Sequence, residues 1–234
     1  MRTSVGVLVS NNAKHQVWNP GAPLISARVA SLAELLSLPP PPRIERLKLG
    51  VRLASSVLQL HGTEWFQESW GKQDINLIEE GPSQSSSPSL ETPVVHQTFT
   101  PEPSVLEPSI KSHIIRCNLS LFSLGIVLIE LWFWRSEESF QADVPQVYDS
   151  PKTTSDTARY IRAQWLSDQL YKDAGDNYGN IVQRCIIGLD HEETQLENDK
   201  FKNEAYRKIL QPLMTHLELF CDEPLEKIFE KRGP

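Results

Sequence analysis

The chain has no glycine-rich phosphate cradle of the Walker or dinucleotide kind and no Gly-x-Ser-x-Gly elbow. The common P-loop, Rossmann and serine-hydrolase chemistries are therefore not expected. Cysteine is scarce: Cys117, Cys185 and Cys221 are far apart, odd in number and without a CxxC pair. Neither a zinc site nor a disulfide framework is expected from that usage, and a reducing compartment suits it. Basic runs are missing too, and the net charge is −7. Phosphate binding depends on Lys and Arg displacing counterions, so a nucleic-acid partner is not expected. Arg43, Arg46, Lys48 and Arg52 fall on one helical stretch and read as its solvated face. No apolar run reaches the roughly 20 residues of a bilayer-spanning helix. The run Val5-Gly6-Val7-Leu8-Val9 is too short for a signal-peptide core, so the expectation is a cytoplasmic protein without membrane insertion.

What is present is a set of apolar stripes at helical spacing. Residues 31–37 read as a short helix ended by Pro39-Pro40-Pro41-Pro42, a stiff spacer. Ile44, Leu47, Val51, Ala54 and Leu58 then recur at steps of three and four, with Gly62 as the stop. Ile75 to Ile78 reads as a short strand. The stretch from Leu119 to Trp134 is apolar on every face, and a helix of that kind must be wrapped by protein. Three amphipathic helices follow, marked by Ala158–Leu166, Tyr178–Leu189 and Tyr206–Phe220, the last kinked at Pro212. A final short helix is expected around 224–230. The fold class is mainly α, built around a buried central helix, with one or two short strands.

Proline, serine, threonine and glutamate dominate 81–109, where too little apolar surface exists to offset ordering entropy, although Val94-Val95 could dock locally. Residues 1–30 read as poorly ordered, with Asn11-Asn12 and Pro20-Gly21 as turns. The expected division is a poorly ordered segment 1–30, a helical domain over 31–80 and 110–231, and a disordered Pro/Ser-rich insert at 81–109.

Few residues offer chemistry. His191-Glu192-Glu193 lacks the paired histidines of a zincin helix and reads as a solvated turn. His61 with Glu64, joined by Asp74, is the one acid–base grouping that could serve a divergent enzyme. Trp65, Phe66 and Trp70 are the candidate anchors for a protein partner if exposed, and otherwise fill the groove between helix and strand. No metal or cofactor is expected.

The order of elements resembles the C-terminal lobe of protein kinases. A helix ends in Leu60-His61, a loop and strand follow, and a buried helix carries Ser123-Leu124-Gly125 through Glu130-Leu131. The chain is also similar to an uncharacterised fungal family of kinase-like helical domains of unknown function. The marks are Arg46 to His61, then Thr63, Trp65, Trp70 and Asp74-Ile75. Later ones are Leu121 to Gly125, and Tyr178, Val182 and Cys185. Some members of that family carry N-terminal regions similar to prion-inhibition or heterokaryon-incompatibility domains. The resemblance covers about residues 31–220.

Against a working kinase the departures are many. Laying Lys72-Gln73-Asp74 on the family's Lys-Pro-Glu puts Trp70 at the catalytic Asp position and Ile75 at the metal-binding Asn position. No Asp-Phe-Gly occurs, and Ser120 stands where an Asp usually precedes the buried helix. No Gly-rich loop or Val-Ala-Ile-Lys strand precedes the first long helix. The resemblance thus implies a degenerate, pseudokinase-type lobe without catalysis, serving protein interaction or regulation. A divergent enzyme and a fragment of a larger protein are the alternatives.

Overall fold

The apolar run after Asn118 folds as helix α3 (Leu119–Phe133) in a computed structural model that describes residues 3–10, 13–19, 28–63, 70–79, 90, 93–95, 118–145, 155–190 and 192–221. Every residue from Ser120 to Trp132 is buried, so this helix is the axis of the core. Asn118 caps it, its Oδ1 accepting the Leu121 N–H at 3.1 Å. At the other end Trp134 adopts a left-handed φ of 52°, unusual for so bulky a residue. Burial of its ring and an indole N–H bond to the Leu38 carbonyl at 2.8 Å hold it there.

The protein is mainly helical. Helix α1 (Leu32–Leu35) is started by a capping box between Ser31 and Glu34. Helix α2 (Arg43–Leu60) buries Leu47, Val51, Ala54 and Leu58 and ends before Gly62, whose φ is +76°. The basic residues of α2 are not simply a solvated face. Arg46 Nη1 donates to the Leu131 and Trp132 carbonyls at 3.0 and 2.6 Å, satisfying acceptors that α3 leaves open at its C-terminal end. Arg43 lies 4.3 Å from the centre of the Trp132 ring, and Arg52 donates to the Leu90 carbonyl. Lys48 pairs locally with Glu45. Composition cannot distinguish these inward arginines from solvated ones, because their acceptors come from distant helices.

Helices α4 (Ser155–Ala174) and α5 (Asp176–Ile187) follow. Gly125 lets α5 approach α3 closely: a Cβ there would lie 2.7 Å from Ile186 Cδ1 and 2.8 Å from Cys185 Cβ. The third amphipathic stretch is helix α6 (Asp199–Ala205), a π-helical turn at Tyr206–Leu210, and helix α7 (Gln211–Glu218). Pro212 explains the irregularity. It has no N–H to offer the Lys208 carbonyl four residues back. Arg184 Nη1 supplies a donor instead, at 3.1 Å.

Five strands are present among the described residues, more than the one or two expected. β3 (Arg28–Ser31), β4 (Ile75–Glu79) and β5 (Pro93–Val95) form an antiparallel sheet in that order, with Ala30 opposite Leu77 and Leu77 opposite Pro93. β5 and the buried Leu90 both lie within the stretch read as a disordered insert. The rest of that stretch lies outside the described residues. β1 (Thr3–Ser10) and β2 (Ala13–Asn19) pair as an antiparallel hairpin in the segment read as poorly ordered, with Ser10 opposite Ala13 across Asn11-Asn12. The register shifts once, between Ser4 and Gly6, and runs evenly from Gly6 to Ser10. The helix expected at 224–230 lies outside the described residues.

One core residue makes stability depend on pH. His216 is 6% exposed, beside Trp132, Tyr178 and Phe220, and neither ring nitrogen has a hydrogen-bond partner among the described residues. Burial, and secondarily the Arg43 charge, lowers its pKa below the usual histidine value. The neutral ring is therefore the folded form, while the unfolded chain takes up the proton first as pH falls. Stability is full above about pH 6.5 and declines below it toward the lowered folded value. Replacing His216→Phe should flatten that decline, read as urea midpoints that converge between neutral and mildly acid buffers. An unchanged slope would show that His216 is not its source.

Candidate functional site

The segment that leaves α2 is pinned to the first turn of α3. His61 caps the end of α2, and its side chain is 3% exposed. Its Nε2 lies 2.9 Å from Glu197 Oε1 and its Nδ1 lies 3.2 Å from Ser120 Oγ. A carboxylate can only accept, so in the neutral ring Nε2 carries the proton and Nδ1 accepts from the serine hydroxyl. Trp70 is buried at 8% exposure and donates its indole N–H to the Ser120 carbonyl at 3.2 Å. Ser120 itself is fully buried. The row Ser120–His61–Glu197 has the residue types of a hydrolytic triad, yet its hydroxyl is shut away from any substrate. It acts as a tie between α2, α3 and the segment before α6.

The next residues are held as firmly. Asp74 Oδ2 accepts the Gly71 N–H at 2.9 Å, closing the turn into β4. Lys72 Nζ lies 2.6 Å from both Glu130 Oε1 and Glu138 Oε2. Burial opposes the Lys72 charge, but its hydrogen bonds to both carboxylates outweigh that, and its pKa is raised. Glu130, on α3, is 1% exposed; burial raises its pKa despite the Lys72 ammonium and the Glu137 N–H. Glu138 is exposed; what desolvation it feels raises its pKa, but the bonds from Lys72 and Ser136 bring its carboxyl down to about 2. The neighbouring Glu137, also buried, pairs with Arg162 and lies 3.9 Å from Arg159.

A cleft of about 460 Å³ opens beside the α3 cap. Leu121, Leu189 and Phe201 line it with apolar surface, while Arg184, Asp190 and Glu192 bring charge. Asn118 serves both neighbours, capping α3 and donating to the Thr194 carbonyl at 3.0 Å.

Of the candidate residues, the structure brings His61 to Ser120 and Glu197, and sets Asp74 in its own turn. Glu64, Trp65 and Phe66 lie outside the described residues. Trp70 follows the alternative reading of these aromatics and is buried rather than an exposed anchor: its ring packs into the core and its indole N–H is satisfied there by a carbonyl. Ile75 is 1% exposed. Among the described residues no three His, Cys, Asp or Glu side chains come together to hold a metal, and no helix is long and apolar enough to cross a membrane. Asn118 matches a glycosylation sequon in the sequence, but an Asn just before an apolar helix is also a capping signal, and capping is the role it takes. Glu197 and Lys72 carried no such signal.

The comparison with protein families covers nearly all of this frame, since residues 10–220 match the family described as Domain of unknown function (DUF7580). The chain belongs to that family. No curated protein matches it, and no solved structure does. The DUF7580 match includes α1 through α7, the three-stranded sheet, and both the His61 tie and the Lys72 cluster.

Proposed function

We propose that this DUF7580 protein is a non-catalytic, kinase-like helical domain from a fungus that works by binding other proteins, as a regulatory or self/non-self recognition module. One observation carries the non-catalytic part. At the two places where a kinase-type loop needs a carboxylate and a metal-binding amide, the chain has Trp70 and Ile75, both packed into the core. Phosphoryl transfer consists largely of positioning and charge stabilisation, so it does not survive the loss of those groups together. Lys72 is engaged by Glu130 and Glu138, leaving no ammonium directed at a phosphate from this loop. The buried helix with Ser123-Leu124-Gly125 and Glu130 supports the kinase-like part of the reading.

A thermal-shift measurement with ATP and magnesium tests it. A nucleotide at roughly 100 times its Kd would stabilise the fold by about 2.7 kcal/mol. No change in Tm is expected; a saturable rise would overturn the non-catalytic reading. The binding part is tested by affinity capture with the intact chain and with Trp65→Ala and Phe66→Ala variants of unchanged circular dichroism. Loss of a captured protein in either variant is the expected result, and identical capture by all three removes these side chains as anchors.

A further inference from the structure

The cleft beside the α3 cap is framed by three elements of the fold. Its floor is Leu121, Leu189 and Phe201, each 2–3% exposed. Its outer wall is the segment after α5, which turns away at Gly188 with φ +122° and at Asp190 with φ +50°. Two long-range bonds hold that wall in place. Lys208 Nζ donates to the Leu189 carbonyl at 2.8 Å, and Asn118 Nδ2 donates to the Thr194 carbonyl. A recess of a few hundred cubic ångströms with an apolar floor and a few fixed polar groups is what ligand sites look like.

The charges around it are unspent. Arg184, Asp190 and Glu192 all line the cleft, yet none of the three forms an ion pair among the described residues. The Arg184 guanidinium is nevertheless fixed, since one of its nitrogens is bonded to the Lys208 carbonyl. Asp190 and Glu192 are exposed at the rim, as is Ile187 at 45%. Among the described residues lining the cleft, two carboxylates stand against one guanidinium, and the Lys208 ammonium behind the wall is already paired with Glu204.

We infer that this cleft receives a short segment of a partner protein in which a bulky apolar residue stands next to Lys or Arg. The apolar side chain covers Leu121, Leu189 and Phe201, and the cation meets Asp190 and Glu192. The remaining N–H groups of Arg184 take a backbone carbonyl of the same segment. The inference rests on the protein-binding reading above and adds to it a second contact surface, with its partner chemistry, beside the one tested at Trp65 and Phe66.

Peptide display on the immobilised full-length chain tests it. Enriched sequences should pair Leu, Ile, Met or Phe with an adjacent Lys or Arg. Their affinity for an Asp190→Asn/Glu192→Gln variant should fall about tenfold, a loss that shrinks at high salt. An Asp190→Asn/Glu192→Lys variant should select against basic residues. Both positions are exposed, and Asn tolerates the left-handed backbone at 190, so the variants should keep the parental Tm. If peptides are enriched but bind the variants equally well, the chain binds proteins through another surface, and this inference alone is lost. If no peptide is enriched while hexylamine raises the Tm of the parent but not of the neutral variant, the cleft is a small-molecule site and the inference is wrong. Failure of both probes overturns it as well.

Discussion

Gly125→Ala should destabilise the protein, and Gly125→Val should prevent it from folding. Helix propensity argues the other way, since Ala is better than Gly inside a helix by about 1 kcal/mol. Packing decides the sign. The added methyl would sit 2.7 Å from Ile186 Cδ1 and 2.8 Å from Cys185 Cβ. The first atom can swing aside, but the second is one bond from the α5 backbone, so the helix itself must move. Overpacking of this kind costs about 1–3 kcal/mol, enough to outweigh the propensity gain. For a chain of this size each kcal/mol lowers Tm by about 2–4 °C. Gly71→Ala is the control, because a Cβ there meets nothing within 4 Å. Should the two alanine variants melt together, α3 and α5 do not approach as described.

The second large effect is expected at Lys72. Removing it by Lys72→Met leaves Glu130 1% exposed, with Oε1 accepting the Glu137 N–H and Oε2 without a partner among the described residues. Breaking one side of a buried pair costs about 3–5 kcal/mol. That penalty should depend on pH in a stated direction. Burial already raises the Glu130 pKa, and the Lys72 charge is one of the influences holding it down. Without Lys72 the folded value rises further above the unfolded carboxyl value of about 4.3. A group with a raised folded pKa favours the folded state most below its unfolded value, and that contribution is lost as pH rises through the folded pKa. The variant should therefore lose most near pH 8 and recover part of the difference from the parent near pH 5. Adding Glu130→Gln to Lys72→Met should recover most of the loss at pH 8. Equal losses at both pH values would show that Lys72 does not control the protonation of Glu130 over this range. Urea midpoints for the three proteins supply the answer.

The parts of this fold that were readable in advance are those whose partners lie nearby in sequence. The all-round apolar character of Leu121–Phe133 announced a buried helix, and α3 is buried along its length. The three–four spacing of Tyr178, Ile181, Val182 and Cys185 gave α5. Pro212 marked an irregularity, and the π-helical turn directly precedes it. What could not be read are pairings across long stretches of chain. His61 meets a serine 59 residues away and a glutamate 136 residues away. Lys72 meets Glu130 across 58 residues, and neither residue differs in type from any surface charge. The hairpin β1–β2 was passed over for a different reason. Its apolar run, Val5-Gly6-Val7-Leu8-Val9, reads only as too short for a signal-peptide core, and the turn signals beside it read as loose order.

The proline in α7 has a consequence for how the molecule can vary. Restoring an amide proton by Pro212→Ala would offer the Lys208 carbonyl a second donor beside the guanidinium that now occupies it. The two positions, on different helices, are thus chemically interlocked: a ring that cannot donate on one is answered by a side chain that can on the other. Because Arg184 also lines the neighbouring recess, a change of residue at 212 alters the acceptor that positions one of that recess's charged groups.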